Sequence, residues 1–394
     1  MLAVVAKTPG AHAEDWPRWR GPNLDGISTE KGWLTAWPAG GPQRLWHADV
    51  GLGYVSVSVS QGRLFTLGNT DETDSVYCLD AATGKELWRH AYACSAKDPN
   101  GFLGPRVTPT VDAGRVYSLS RAGQLFCLDA ASGKVIWAKD FAKDYGAKPP
   151  TWGYGGSPLV EGDLLISEVG GAAGSVVAFN KMDGREVWKA GTDAVAYSSI
   201  VPFDFKGQRC LAELSAAGIV GRAAKDGGEL WRYSWKTSYD VNVATPILAG
   251  DRVFVSSGYG KGCALIQFAD ATPPKVVWQN KRMRNHVATC VRWQGQLYGF
   301  DESELKCLDF ATGEPKWAEG KFGKGCLAIA GGKLIIYSET GTLAVAEPSP
   351  DGYKELASCQ VFEGKNTWAV PVLANGRLYC RSQADLVCLD VKAQ

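Results

Sequence analysis

The sequence predicts an all-β fold, a single eight-bladed β-propeller of four-stranded antiparallel blades, and three observations carry that prediction. The stretch CLDAATGKELW at residues 78–88 returns, whole or worn, about every 40–50 residues, which is the period of a propeller blade. Between the copies, Gly, Asn-Gly and Asp-Gly turns separate runs of alternating β-branched residues, enough for four short strands per unit. Two counts then agree on the number of units. Innermost strands lead into Gly62, Gly114, Gly162, Gly207, Gly250, Gly295, Gly332 and Gly376, and outermost strands are expected to end at Trp46, Trp88, Trp137, Trp188, Trp231, Trp278, Trp317 and Leu356.

Along the chain, residues 1–13 (MLAVVAKTPGAHA) end in an A-x-A pattern suited to cleavage before Glu14. They read either as the remnant of an export signal that starts further upstream or as a disordered tail. Residues 14–39, rich in tryptophan and proline (DWPRWRGPNLDGISTEKGWLTAWP), are expected to form a wrapping segment held by aromatic packing. Residues 40–394 are the propeller. The clearest further copies of the motif are CLDAASGKVIW at 127–137 and CLDFATGEPKW at 307–317, with weaker ones at 178–188, 221–231 and 266–278. The copy at 345–357 has Ala357 in place of the tryptophan. GGPQRLW at 40–46 has the second half of the motif without the first, and CLD at 388–390 has the first half without the second. The strand ending at Trp46 is therefore expected to pair with the C-terminal blade and close the ring.

The motif has a physical reason in such an architecture. Thr-Gly or Asp-Gly supplies the positive φ that a tight hairpin needs. The tryptophan can cover the next blade with its N–H bonded to a backbone group. These tryptophans are structural, so function is to be sought where the repeats differ.

Composition narrows the function further. A net charge of +1 over 394 residues leaves no electrostatic footprint for nucleic acid or an acidic membrane surface, and neither is expected as a partner. No stretch approaches the ~18 apolar residues of a membrane span. Of the 11 cysteines, Cys78, Cys127, Cys307 and Cys388 occupy one repeated position before Leu-Asp, where a small buried hydrophobe is expected. There is no C-x-x-C, and with four scattered histidines no metal site is expected. The first cysteine is Cys78, so no N-terminal cysteine stands ready for a lipid anchor.

The repeats at 78–88, 127–137 and 307–317 resemble the PQQ-like repeat, roughly Ala-x-Asp-x-x-Thr-Gly-x-x-x-Trp, and the resemblance runs from about Gly40 to Asp390. That repeat is shared by eight-bladed quinoprotein alcohol dehydrogenases, by BamB-type outer-membrane assembly factors and by many exported bacterial proteins, whose start DWPRWRGPNLDG resembles. The resemblance implies an exported protein, periplasmic or secreted. It implies a monomeric, non-catalytic binding or scaffold module with protein partners on its blade loops, a BamB-like envelope role being one form of it. The alternative is an oxidoreductase acting on an alcohol or sugar with PQQ and Ca²⁺ at the channel mouth. In that case residues 235–246 (WKTSYDVNVATP) are similar to the Trp-Asp-Tyr-Asp region of the dehydrogenases, with Ser238 where the first aspartate would fall. Asp240 would then be the catalytic base and Asn242 a ligand, while the adjacent cysteines of many such enzymes are missing. Glu168 and Glu213 are further acidic candidates, although carboxylates in blade strands are more often on the surface.

A site in a propeller belongs at the mouth that the leading ends of the innermost strands share. Equivalent positions there offer Tyr54, Arg106, Trp152, Tyr154, Tyr197, Asn242, Arg284, His286, Lys324 and Trp368 as ligand-binding residues. This ring is polar, aromatic and cationic, which suits a flat anionic small molecule. An open slot between Trp152 and Trp368 would favour a ligand, and a plugged channel would favour scaffolding.

Overall fold

Eight four-stranded antiparallel sheets follow one another along the chain in the computed structural model, which describes residues 14–38, 40–98, 100–172, 174–268 and 273–393. Residues 1–13, on which the export-signal reading falls, lie outside the described residues. Blade 1 is a meander of Ser58–Ser60, Arg63–Thr70, Thr73–Asp80 and Glu86–Ala93. Blades 2 to 7 repeat it, their innermost strands being Thr110–Asp112, Leu159–Glu161, Val201–Phe205, Ile247–Ala249, Val291–Trp293 and Gly325–Ala330. Blade 8 has only three strands from the C-terminal end, Val372–Ala374, Arg377–Arg381 and Asp385–Asp390. Its fourth is Arg44–Asp49, paired antiparallel with Trp46 opposite Cys388 and Asp49 opposite Asp385. The two half-motifs thus complete one another, and ring closure leaves no open sheet between first and last blade.

The repeated turn is held by its own side chains. Asp80 Oδ1 accepts from Thr83 N at 2.8 Å and from Thr83 Oγ1 at 2.8 Å, and Asp129 does the same with Ser132 and Asp309 with Thr312. The hydroxyl of Thr83, more than any other partner, holds the Asp80 carboxyl below its usual range. A β-bulge follows: Cys78 pairs with Trp88 while Leu79 pairs with Glu86, so Leu87 is squeezed out to solvent and the tryptophan turns inward. The tryptophans accordingly do not end their strands. Trp88 is the third residue of Glu86–Ala93, and in blade 7 the outer strand runs on to Gln360.

Trp46, Trp88, Trp137, Trp188 and Trp278 each lie on the turn glycine of the next blade. A Cβ on Gly84 would stand 2.6 Å from the Trp46 ring, one on Gly133 2.5 Å from Trp88 and one on Gly184 2.7 Å from Trp137. Trp46, Trp88, Trp137, Trp278 and Trp317 donate their indole N–H to a backbone carbonyl of the following repeat, at 2.7–3.2 Å. Trp188 and Trp231 have no such partner among the described residues, and Trp231 instead stacks flat on Phe268 at 4.6 Å. Gly133→Ala therefore combines a left-handed backbone at φ +72° with a ring in the way, whereas Gly250→Ala, at φ +63°, has open space around it. We expect about 1 kcal/mol from backbone strain at Gly250 and about 2–3 kcal/mol at Gly133, read as shifts in the urea unfolding midpoint.

Residues 15–34 cross the axis of the ring. Trp16 exchanges backbone hydrogen bonds with Val59 of blade 1, Pro17 O accepts from Val111 N of blade 2, and Arg18 Nη1 donates to Val160 O of blade 3. Three consecutive residues reach three consecutive blades, which at ~3.3 Å per residue is feasible only where the blades converge. Leu24 packs between blades 3 and 4, Trp19 Nε1 donates to Thr245 Oγ1 at 2.9 Å, and Arg20 reaches Cys290 O. Ile27–Ser28 adds a parallel strand to blade 7, and Glu30 accepts from the backbone of Asn375 and Gly376 in blade 8.

All 11 cysteines are buried and unpaired, and burial pushes the Cys78 thiol up to about 12. Glu168 and Glu213 depart from the sequence expectation: neither is on the surface. Both are buried where blades 3 and 4 meet, with Glu213 accepting from Arg222 Nε at 2.6 Å. No helix among the described residues is long and apolar enough to cross a membrane.

Candidate functional site

Every blade contributes to one cavity of about 370 Å³ on the axis, at the leading ends of the innermost strands. Trp19 of the axial segment lines it together with Thr245, so the cavity is a cup with an aromatic residue across its inner end. Two aromatic arcs form its sides. On blades 8, 1 and 2, Trp368 stacks on Tyr54 at 5.2 Å with 27° between planes, and Phe102 packs against both. On blades 3 to 6, Trp152 meets Tyr197 at 6.0 Å and Tyr239 at 6.5 Å, Tyr239 meets Tyr259, and Tyr259 stands edge-on to His286 at 4.8 Å. Blades 8 to 2 lie across the ring from blades 4 to 6. The cup is therefore a slot between facing aromatic walls, with Trp152 and Trp368 both in its lining and small residues Gly155, Ser157, Ser199, Thr245 and Thr289 deeper in.

The backbone around the rim is unusual for non-glycine residues. Tyr239, Asp240, Tyr259, Glu302 and Asn366 all adopt φ between 52° and 64°. Such conformations persist only where surrounding contacts hold them. Here they aim Tyr239, 70% exposed, and Tyr259, 45% exposed, along the wall rather than into a core.

Charges are mostly committed to structure. Arg106 lies 5.6 Å over the Tyr54 ring, and its guanidinium donates to the buried Asp98 carboxylate at 2.9 Å and to the carbonyls of Phe102 and Gly104. It builds the loop that carries Phe102, and burial lowers its pKa. Burial, and then the Lys324 ammonium, lower the pKa of His286. Lys324 Nζ donates to His286 Nδ1 at 2.9 Å, which places the imidazole proton on Nε2, and Glu302 stands 3.5 Å from the same nitrogen. Tyr54 and Tyr197 are pushed above the usual phenol range by burial.

Of the residues that the sequence suggests, Tyr54, Arg106, Trp152, Tyr197, His286, Lys324 and Trp368 line the cup. Tyr154 does not: it is buried in the core between blades 2 and 3, donating to Val169 O at 2.7 Å, while its neighbour Gly155 faces the cup. Asn242 is fully buried, its amide donating to Ser215 O and Trp235 O and its oxygen accepting from Ser257 Oγ, and Val241 and Val243 on either side line the cup instead. Arg284 is outside, paired with Asp301 at 2.6 Å. Asp240 is exposed in the short turn Ser238–Asp240 and is not part of the lining.

Trp19, Phe102, Tyr259 and Glu339 line the cup without having been suggested by the repeat positions. Tyr259 and Glu339 sit in hairpins between the second and third strands of blades 5 and 7. Those hairpins return to the face where the innermost strands begin, a second ring of positions that strand alternation alone places at the same mouth. Among the described residues no group of three or more His, Cys, Asp or Glu is arranged to hold a metal ion. The donor set a calcium-bound quinone needs is thus not assembled: Asn242 is spent on internal bonds, Asp240 is outside, and Glu339 is the carboxylate in the lining.

The family model described as "Outer membrane protein assembly factor BamB" matches residues 30–99 and 72–319. No curated protein matches the sequence. Among solved structures, BamB from Moraxella catarrhalis is similar with a TM-score of 0.61 at 14% identity, over 89% of this chain and 99% of that one. The quinohemoprotein alcohol dehydrogenase ADHIIG from Pseudomonas putida reaches 0.61 at 15% identity, over 96% and 80%. A computationally designed protein, Ika8, also reaches 0.61 at 12% identity, over 89% and 100%. An assembly factor, an enzyme and a design share this fold equally, so the fold carries no activity by itself.

Proposed function

This chain belongs to the PQQ-like repeat family whose model is described as outer membrane protein assembly factor BamB, and from that premise we propose that it is a binding module without chemistry of its own. The channel mouth takes a small ligand between its aromatic walls, and the blade loops engage protein partners in the cell envelope. The observation that carries this reading is the cup itself: aromatic faces suited to stacking, most charges tied into structure and, among the described residues, no convergent base and metal ligands. Localisation in the periplasm or outside the cell rests on the family resemblance.

The test is a titration of the purified chain followed by tryptophan fluorescence. Small planar aromatic compounds should change the emission of Trp152 and Trp368, and Trp368→Ala should abolish most of that response. In a parallel arm, PQQ with Ca²⁺ should give neither a bound quinone spectrum nor dye reduction with alcohols. A quinone spectrum with turnover would replace this reading with the oxidoreductase. A mouth that answers to no aromatic compound would remove the binding site.

A further inference from the structure

We propose that the ligand of the mouth is a small aromatic zwitterion, an aromatic α-amino acid held with its carboxylate on Lys324 and its ammonium on Glu339. This rests on the reading of the cup as a binding site and names what occupies it. The inference follows from which charges in the lining are still available. Arg106 is satisfied by Asp98 and two carbonyls, and Arg284 lies outside with Asp301. Lys324 is different. Its ammonium donates to a neutral imidazole nitrogen and forms no ion pair with a carboxylate among the described residues, which leaves donors for a ligand. Glu339 is its counterpart: one oxygen accepts from the Lys324 backbone N–H at 3.1 Å, and no cation is paired with the carboxylate among the described residues.

Both groups sit on blade 7, at the end of the slot between the aromatic walls. The Glu339 carboxylate is held against the Lys324 backbone, and the two charges sharing one end of the cup decide the ligand's charge. A simple anion drawn to Lys324 would lie beside the Glu339 carboxylate, and a simple cation drawn to Glu339 would lie beside the Lys324 ammonium. A ligand with both charges a carbon apart satisfies the two together. Its ring would then lie in the slot, with Trp368 and Tyr54 on one side and Trp152 and Tyr197 on the other. A cavity of about 370 Å³ is near the small end of small-molecule sites, in keeping with one amino acid.

The experiment is calorimetric titration of the full chain with L-phenylalanine, 3-phenylpropionate and phenethylamine, which share the ring and differ in charge. Phenylalanine should bind about tenfold or more tightly than either analogue, the weight of one charge-assisted hydrogen bond. Glu339→Gln should erase its advantage over phenylpropionate, and Lys324→Met its advantage over phenethylamine, with thermal unfolding as the check on folding. An analogue that binds the unsubstituted chain as tightly as phenylalanine overturns the zwitterion while leaving the mouth as a binding site. Failure of all three to bind overturns both.

Discussion

Replacing Arg381 by methionine should cost the folded chain about 3–5 kcal/mol, seen as a large drop in the denaturant midpoint. Arg381 is 2% exposed and has no carboxylate partner among the described residues. Its guanidinium, on the second strand of blade 8, instead donates into blade 1, to Leu67 O at 2.6 Å, Thr66 Oγ1 at 2.7 Å, Gly51 O at 2.9 Å and Val55 O at 3.4 Å. Burial alone is enough to pull its pKa down to about 9. Methionine fills much of the volume but strips several buried acceptors of their donor at about 1–3 kcal/mol each, and release of the buried charge offsets only part of that. Arg381→Lys should recover little, because a single ammonium cannot reach acceptors spread around a planar fork. Thr66→Val, which removes one acceptor and leaves the others, should cost only about 1 kcal/mol. A methionine variant as stable as the parent would mean that blades 8 and 1 are held by apolar packing and the closing strand alone.

The second large effect is expected where blades 3 and 4 meet. Arg222→Met should cost about 3–5 kcal/mol, because it leaves Glu213 buried without its guanidinium and Glu168 without the nearest positive charge. Glu168→Gln should do the opposite. Neither oxygen of Glu168 has a hydrogen-bond partner among the described residues, and burial, followed by repulsion from Glu213, drives its pKa well above the usual carboxyl value. The folded chain keeps this proton at pH values where the unfolded chain has lost it. Stability from the group is therefore fully present below an unfolded pKa of about 4.3 and is lost as pH rises toward the raised folded value, by up to about 1.4 kcal/mol per pH unit. Glutamine carries no such proton, so the variant should gain most at alkaline pH and flatten the stability profile above about pH 5. Unfolding midpoints across that range that match the parent would show that Glu168 is charged in the fold.

How much of this was legible in the sequence depended on whether a feature repeats. The blade number and the closing strand could be read from the half-motifs at Trp46 and Cys388, because a hairpin cannot be left half-made in a closed ring. The position of the tryptophan within its strand could not, since the bulge that turns Trp88 inward and Leu87 outward depends on register with Cys78. At the mouth, a search by repeat position found the right neighbourhood and in places the wrong face. Tyr154 and Asn242 are each one residue from a residue that lines the cup, and in an extended chain one residue reverses the side chain's direction. Trp19 comes from far along the chain and Glu339 from a hairpin without a repeat signature, so nothing local tied either to this place. Glu168 and Glu213 read as surface carboxylates because pattern alone does not show that Arg222 lies beside them.

The axial segment has a consequence for how the chain is assembled in time. Its bonds from Trp19 to Thr245, from Arg20 to Cys290 and from Glu30 to Gly376 span 226, 270 and 346 residues. These residues are made before any blade and find their last partners only when the eighth blade exists, as does the Arg44–Asp49 strand beside them. Contacts so distant in sequence are slow to form, since the loop entropy is lost before the contact is gained. During synthesis, Trp16, Trp19 and Trp33 wait without their final packing while the blades accumulate, and the ring acquires its inner stopper and its last strand in one late event. A chain stopped a blade short would lose both at once.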